Sequence, residues 1–251
     1  MIKQRLLVIA YFLTASISWA NTPQCQYKVV SSYQHNPKLF TQGLYWQPGR
    51  LLESSGGYGG SKLVDNQWPE MIETRSTRLP DDLYGEDITI VDGKVYQLTW
   101  KTGQVRIYKD SNFELLNTID YGGVGWGLTH TKEFFIRSDG FYCLFYHDKK
   151  TFRQIKERCI DQKRQLNAIA YMDGVIYANH FPTNEMVRID ESSGKVLDML
   201  DLSKLSSGKD AVMANGVAAY KDGQIIVTGK QWDKIYVLDV SQCLQPSQVA
   251  R

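Results

Sequence analysis

The chain has 251 residues, with 29 lysines and arginines against 27 aspartates and glutamates. So even a balance offers no basic footprint for nucleic acid and no charge to hold the protein on an anionic membrane. Its histidines (His35, His130, His147, His180) and its four cysteines show none of the close spacings of a zinc or redox centre, which disfavours a metal-dependent hydrolase.

Residues 1–20, MIKQRLLVIAYFLTASISWA, carry a basic start at Lys3 and Arg5, a short apolar run from Leu6 to Leu13 and the small-x-small ending Ser18-Trp19-Ala20. This pattern predicts a secretory signal peptide cleaved before Asn21. Its apolar part is too short to span a bilayer, and no later stretch is long or apolar enough. The expected mature chain, 21–251, is therefore one exported, soluble domain, periplasmic or secreted, without net charge and away from the membrane. No amphipathic or heptad surface suggests an oligomer, so a monomer is expected. Cys25, Cys143, Cys159 and Cys243 all lie in that mature part; an even count in an exported protein suggests two disulfides, for which three pairings exist.

A strand-like run, QYKVVSSY (26–33), comes first and has no partner nearby. Five similar openings follow: TQGLYW at 41, GEDITI at 85, GWGLTH at 125, LNAIAY at 166 and ANGVAA at 214. Aligned on a buried aliphatic, they fall at Leu44, Ile88, Leu128, Ile169 and Val217, with steps of 40–48 residues. Each leads to a second apolar run: LLESS, KVYQLTW, EFFIRSD, VIYANHF and QIIVTGK. Asp92-Gly93, Asp173-Gly174 and Asp222-Gly223 separate the two as hairpin turns. Third runs are clearest in QVRIY, EMVRID and KIYVLD, fourth runs in ELLNTI and KVLDML. Helical periodicity is nearly absent. Four short strands per unit of roughly 40–45 residues is the signature of a propeller blade. The predicted fold is all-β, a five-bladed β-propeller. Ring closure would set the 26–33 strand beside the last strand of blade five, with Cys25–Cys243 stapling the seam and Cys143–Cys159 locking two strands of blade three.

In a propeller the starts of the first strands and the ends of the second strands surround one mouth of the central channel. The position two before each aligned aliphatic holds Gln42, Glu86, Trp126, Asn167 and Asn215. The second strands end at Ser54-Ser55, Thr99-Trp100-Lys101, Ser138-Asp139, Asn179-His180-Phe181 and Thr228-Gly229-Lys230, with Trp232 just beyond. One mouth thus collects amides, an acid, a lysine and large aromatics, the composition of a small-molecule or chain-end pocket. Glu86 among Tyr84, Trp100, Trp126 and Phe181 would lose hydration, which raises its pKa and suits it to accept and donate a proton near neutrality. Asp87, one residue on, would face away by strand alternation. Trp46 and Trp68 read as core or rim, Asn167 and Asn215 equally as strand-start caps. SSGGYGGS (54–61) lacks the ending of a phosphate loop and reads as a flexible segment at the mouth.

The motifs FTQGL (40–44), ESSGGYGGS (53–61), YGED (84–87), QLTWK (97–101), GWGLT (125–129), SDG (138–140), LN (166–167), AN (178–179), NG (215–216) and VTGKQW (227–232) occur in order along the mature chain. In these the chain resembles the plant-type glutaminyl cyclases. The resemblance implies a five-bladed propeller that converts N-terminal glutamine of peptides or proteins to pyroglutamate with release of ammonia. It places the essential acid at Glu86 and pocket residues at Phe40, Gln42, Tyr84, Trp100, Trp126, Asn167, Phe181 and Lys230. It implies no cofactor for catalysis, while remaining compatible with a structural metal ion in the channel. On this reading Glu86 acts as base and acid, Lys230 with Gln42 faces the oxyanion, and Phe40, Tyr84, Trp100, Trp126, Asn167 and Phe181 bind substrate. Three departures stand out: the family's FGEG is Tyr84-Gly85-Glu86-Asp87, its LNELE is Leu166-Asn167-Ala168-Ile169-Ala170, and a usual tryptophan is Phe181. The competing readings are a non-catalytic propeller that binds a peptide end or sugar, favoured by the lost glutamates, and a lactonase-like hydrolase, disfavoured by the lack of several channel carboxylates.

Overall fold

Asp92 and Gly93 take φ of 50° and 69°, and Asp173 and Gly174 take 50° and 82°. These left-handed pairs are what a two-residue hairpin needs, and they join Val91 to Lys94 and Met172 to Val175 across the strands. A computed structural model describes residues 22–221 and 223–246; the signal peptide expectation and Asp222 of the third turn fall outside the described residues.

The hairpins build five four-stranded antiparallel sheets. Blade one is β2 (Thr41–Gln47), β3 (Arg50–Ser55), β4 (Lys62–Gln67) and β5 (Ile72–Arg78). Blade two is β6 (Gly85–Val91), β7 (Lys94–Thr99), β8 (Gln104–Lys109) and β9 (Leu115–Asp120). Blade three is β10 (Leu128–His130), β11 (Phe134–Ser138), β12 (Cys143–Asp148) and β13 (Gln154–Cys159). Blade four is β14 (Gln165–Met172), β15 (Val175–Phe181), β16 (Glu185–Asp190) and β17 (Val196–Asp201). Blade five is β18 (Ala214–Ala219), β19 (Gln224–Gly229) and β20 (Lys234–Asp239), completed on its outer edge by β1 (Lys28–Gln34). The five-bladed propeller predicted from the repeat is the fold. A short 3-10 turn, Ser203–Leu205, lies between blades four and five.

The core is divided among the blade interfaces, and strand alternation divides it. Leu51 and Leu52 are neighbours in β3. Leu51 packs with Ile226, Ile235 and Val237 of blade five, whereas Leu52 packs with Ile88 and Val95 of blade two. Middle strands buried on both faces explain the continuous apolar runs of the sequence. Trp46 and Trp68 pack around Tyr220 at the interface of blades one and five, as core and rim.

Both favoured disulfides are present. Cys143 and Cys159 face each other across β12 and β13, and Cys25–Cys243 joins the residues that flank the closing strand pair. The second bridge spans 218 residues of sequence, so its loss removes a large constraint on the unfolded chain. Cys25→Ser with Cys243→Ser is expected to cost about 2–5 kcal/mol, read as a lower melting temperature that added reductant does not lower further at this bridge. An unchanged melting temperature would show that β1 holds the seam without it.

Candidate active site

The inner strands do not begin regularly. In blades one, two, four and five the register slips at the first residues of the inner strand: between Thr41 and Gly43, Gly85 and Ile88, Leu166 and Ile169, and Ala214 and Val217. Such bulges re-aim side chains, and Gln42, Glu86, Asn167 and Asn215 all sit inside them. In blade three, Trp126 occupies the corresponding place just before β10.

Two of the re-aimed side chains stitch the mouth together. Asp87 does not face away, because the bulge breaks the alternation that would have turned it out. Its Oδ1 accepts from Ile88 N (2.8 Å), and its Oδ2 accepts from Leu128 N (2.9 Å) and Ile169 N (3.0 Å). One carboxyl thus ties blades two, three and four, and Gly43 of blade one lies against it with no room for a Cβ. Asn215 completes the circle: its Nδ2 donates to Thr41 O (3.0 Å) and Gln42 Oε1 (2.8 Å), and its Oδ1 accepts from Ala168 N (3.4 Å). Asn215 therefore acts as a strand-start tie. Asn167 does not, since its Oδ1 is buried without a partner.

Inside this ring lies a cavity of about 180 Å³, lined by Gln42, Glu86, Asn167 and Lys230 with the rings of Tyr84, Trp100, Trp126 and Phe181. It is smaller than the roughly 300–1,000 Å³ of sites for drug-sized ligands, a space for one side chain and the atoms next to it. Tyr84 meets Trp100 edge-on at 5.5 Å and Trp126 meets Phe181 at 5.1 Å, so the aromatic walls come as two braced pairs. Trp126 Nε1 is a second buried polar atom without a partner, and it belongs to the same wall.

The charged pair is Glu86 and Lys230. Glu86 is 4% exposed. Burial pushes its carboxyl well above the ordinary carboxylate range, Lys230 pulls it down and Asp87 adds to the rise. Burial lowers Lys230, and the field of Glu86 opposes that. Desolvation sets the direction at both ends, weakening the charged form of each group against the attraction between them. Tyr84 is pushed up to about 12, by burial first and then by Glu86.

Of the residues predicted for the site, eight line the cavity. Phe40 does not; its ring lies 5.0 Å from the Lys230 ammonium and backs that side chain, as Phe181 does from 5.9 Å. Trp232, expected near the mouth, is fully buried between blades four and five. The glutamates missing from LNAIA leave the pocket walls untouched, because Ala168 and Ala170 are both buried outside it.

Sequence reasoning did not find the group behind Lys230. His35 is buried, with Nδ1 2.7 Å from Trp232 O and Nε2 3.1 Å from both oxygens of Glu53, and Thr41 Oγ1 donates to Glu53 at 2.7 Å. Both ring nitrogens face acceptors, so the ring carries two protons. Burial opposes that charge, and Glu53 more than offsets it, leaving the imidazole raised. With Gln231 N donating to Leu39 O, this pair fixes the loop that carries Lys230 to blade one. The partnership joins residues 18 apart on different elements and leaves no local pattern.

Among the described residues, no cluster of His, Cys, Asp and Glu in the channel marks a place for the structural ion that the resemblance allows. The channel acid Asp87 already receives three N–H bonds, an environment suited to a carboxyl group and not to a cation. The two groups of cysteine with an acid among the described residues use cysteines that are disulfide-bonded. A larger cavity of about 390 Å³ opens at the opposite end of the channel among Tyr45, Trp46, His130 and Tyr171. No carboxylate lines it, and burial, with Lys149, lowers His130 to about 4. The smaller cavity, by contrast, holds the buried acid.

Fold and site together define a five-bladed propeller whose channel mouth holds a buried acid in a pocket sized for a single side chain. Residues 5–240 match the sequence profile of the glutamine cyclotransferases, and the chain belongs to that enzyme family. A glutaminyl-peptide cyclotransferase of Arabidopsis thaliana is 29% identical over 232 residues, 86% of this chain and 71% of the plant protein. The crystal structure of Myxococcus xanthus glutaminyl cyclase is similar at a TM-score of 0.78 and 27% identity, covering 88% of this chain and 99% of that one.

Proposed function

We propose that the protein is an exported glutaminyl-peptide cyclotransferase that closes N-terminal glutamine of peptides or proteins to pyroglutamate and releases ammonia, with Glu86 moving the protons. The observation that carries this reading is a buried carboxyl, raised in pKa, inside an aromatic cavity that admits one side chain. Family membership supports it, and two disulfides suit an oxidising compartment.

The substrate supplies its own nucleophile. Its α-amine attacks the γ-carboxamide carbon, a C–N bond forms, and a five-membered ring closes over a tetrahedral centre. Glu86 takes the proton that the amine gives up. It returns a proton to the amide nitrogen as the old C–N bond breaks and ammonia leaves. A carboxyl raised by burial toward neutrality is suited to both steps, and such transfer contributes about 10²–10⁴-fold. The braced rings fold the side chain back toward its own amine, which is the proximity contribution. Asn167 Oδ1 and Trp126 Nε1, unpartnered in the wall, are the groups left to hold the substrate's amine and amide. Lys230 with the second N–H of Gln42 faces the oxygen that becomes negative.

The test is mass spectrometry of a Gln-Xaa peptide incubated with the folded protein and a chelator. Loss of one ammonia supports the reading; an intact peptide bound by folded protein would favour the non-catalytic binding reading instead. Lys230→Met is expected to lower kcat by about 10²–10³-fold, the usual loss for one oxyanion donor. An unaltered kcat for that variant would remove Lys230 from the chemistry.

A further inference from the structure

The hydrogen bonds behind Tyr84 run in one direction, and the direction is forced. Thr41 O is a carbonyl and can only accept, so the Asn215 atom 3.0 Å from it is the amide nitrogen. Asn215 Oδ1 then takes the Ala168 N–H, which agrees with that orientation. The same nitrogen meets Gln42 at 2.8 Å, so the Gln42 atom there is its oxygen, and Gln42 presents its nitrogen 3.0 Å from the Tyr84 hydroxyl. Tyr84 accepts this bond. Its own proton has no acceptor among the described residues, although Tyr84 lines the cavity and its phenol lies in the field of Glu86.

The phenol is also held still. Gly56 lies flat against its ring, where any Cβ would collide, and Tyr58 and Trp100 meet it edge-on at 5.4 and 5.5 Å. A phenol shifted up to about 12 by burial and the field of Glu86 keeps its proton across the working range, so it can donate a hydrogen bond but cannot act as a base.

We propose that the Tyr84 hydroxyl is a catalytic oxyanion donor, giving its hydrogen bond to the γ-amide oxygen of the substrate as the tetrahedral centre forms, with Asn215 and Gln42 as the positioning residues that orient it. The inference rests on the cyclase reading above and extends it to a residue where this chain departs from the phenylalanine of the related motif. The donor is preorganised: it spends its acceptor side on Gln42 before substrate arrives, so little reorientation remains for the moment when charge develops.

The test compares wild type with Tyr84→Phe on a Gln-Xaa peptide. The ring and its packing survive, so KM should change little while kcat falls about 10²–10³-fold. A second measurement excludes a merely structural role. Fluorinated tyrosine installed at position 84 lowers the phenol pKa, so the donor is lost by ionisation earlier on the alkaline side. The alkaline fall of kcat should move down with that pKa. Equal kcat for wild type and Tyr84→Phe, or an alkaline limb that ignores fluorination, overturns the proposal while leaving the cyclase reading in place. A wild-type protein that releases no ammonia overturns the cyclase reading itself, and this inference falls with it.

Discussion

Glu86→Gln is expected to abolish turnover and to make the protein more stable. The first effect follows from the mechanism: an amide can neither take the amine proton nor return one, so the loss should reach at least the roughly 10²–10⁴-fold of a general acid–base catalyst. The second follows from the sign of the pKa shift. Burial raises the Glu86 carboxyl in the folded protein, above the value of about 4.3 it has when unfolded. A group raised in this way contributes stability that is complete below the unfolded pKa and is lost as pH rises through the folded one. Above the unfolded value the folded protein therefore carries the cost of burying an acid, and Lys230 only partly offsets it. Glutamine has the shape and removes the cost. The melting temperature of the variant should exceed that of wild type at neutral pH, and the gap should close as pH falls toward the unfolded carboxylate value. Thermal melts across pH, beside an ammonia-release assay, test both halves. A variant that melts lower at neutral pH would show that Lys230 needs its partner more than Glu86 suffers from burial.

His35→Ala should give the largest loss of stability from a single side chain outside the cavity, about 3–5 kcal/mol, because it strands the buried Glu53 carboxylate with Thr41 as its remaining partner. The double change His35→Phe with Glu53→Leu should recover much of that loss, since replacing a buried ion pair by apolar groups of similar size is often neutral. The pH dependence has the opposite sense to a depressed carboxylate. His35 is raised in the fold, so its contribution is complete below the unfolded value of about 6.5 and declines as pH climbs through the folded one. The gap between wild type and His35→Ala should therefore narrow on the alkaline side. Denaturant unfolding at several pH values measures it. A cost under about 1 kcal/mol, as for an exposed pair, would mean that the imidazole is not the charged partner inferred from its two acceptors.

The propeller was legible because its signals repeat. Leu44, Ile88, Leu128, Ile169 and Val217 recur at blade spacing, and Asp92-Gly93 and Asp173-Gly174 can hardly be anything other than hairpin turns. The pocket was legible for the same reason, since a position defined by recurrence picked out Gln42, Glu86, Trp126 and Asn167 without knowledge of the bulges that aim three of them. What escaped depends on geometry that has no period. Asp87 was read as facing outward because alternation was assumed through a bulge. Phe40 opens FTQGL and reads as a wall, yet it backs Lys230. Trp232 lies two residues past a cavity lysine but turns between blades. His35 and Glu53 meet only after the ring has closed. The direction of the Asn215–Gln42–Tyr84 chain is a property of which atoms accept, and no residue pattern encodes it.

The closing strand β1 has a consequence for how the protein comes into being. It is the first of the described strands to be synthesised, yet the edge it pairs with, β20, is the last of them. Blade five carries Lys230 and Asn215, and through Asn215 the orientation of Gln42 and Tyr84. A growing chain can complete its first four blades and still lack the cation and the polarity of its pocket. Competence should therefore arrive in a single step once blade five is made, so that partly made molecules stay silent toward any glutamine terminus they meet.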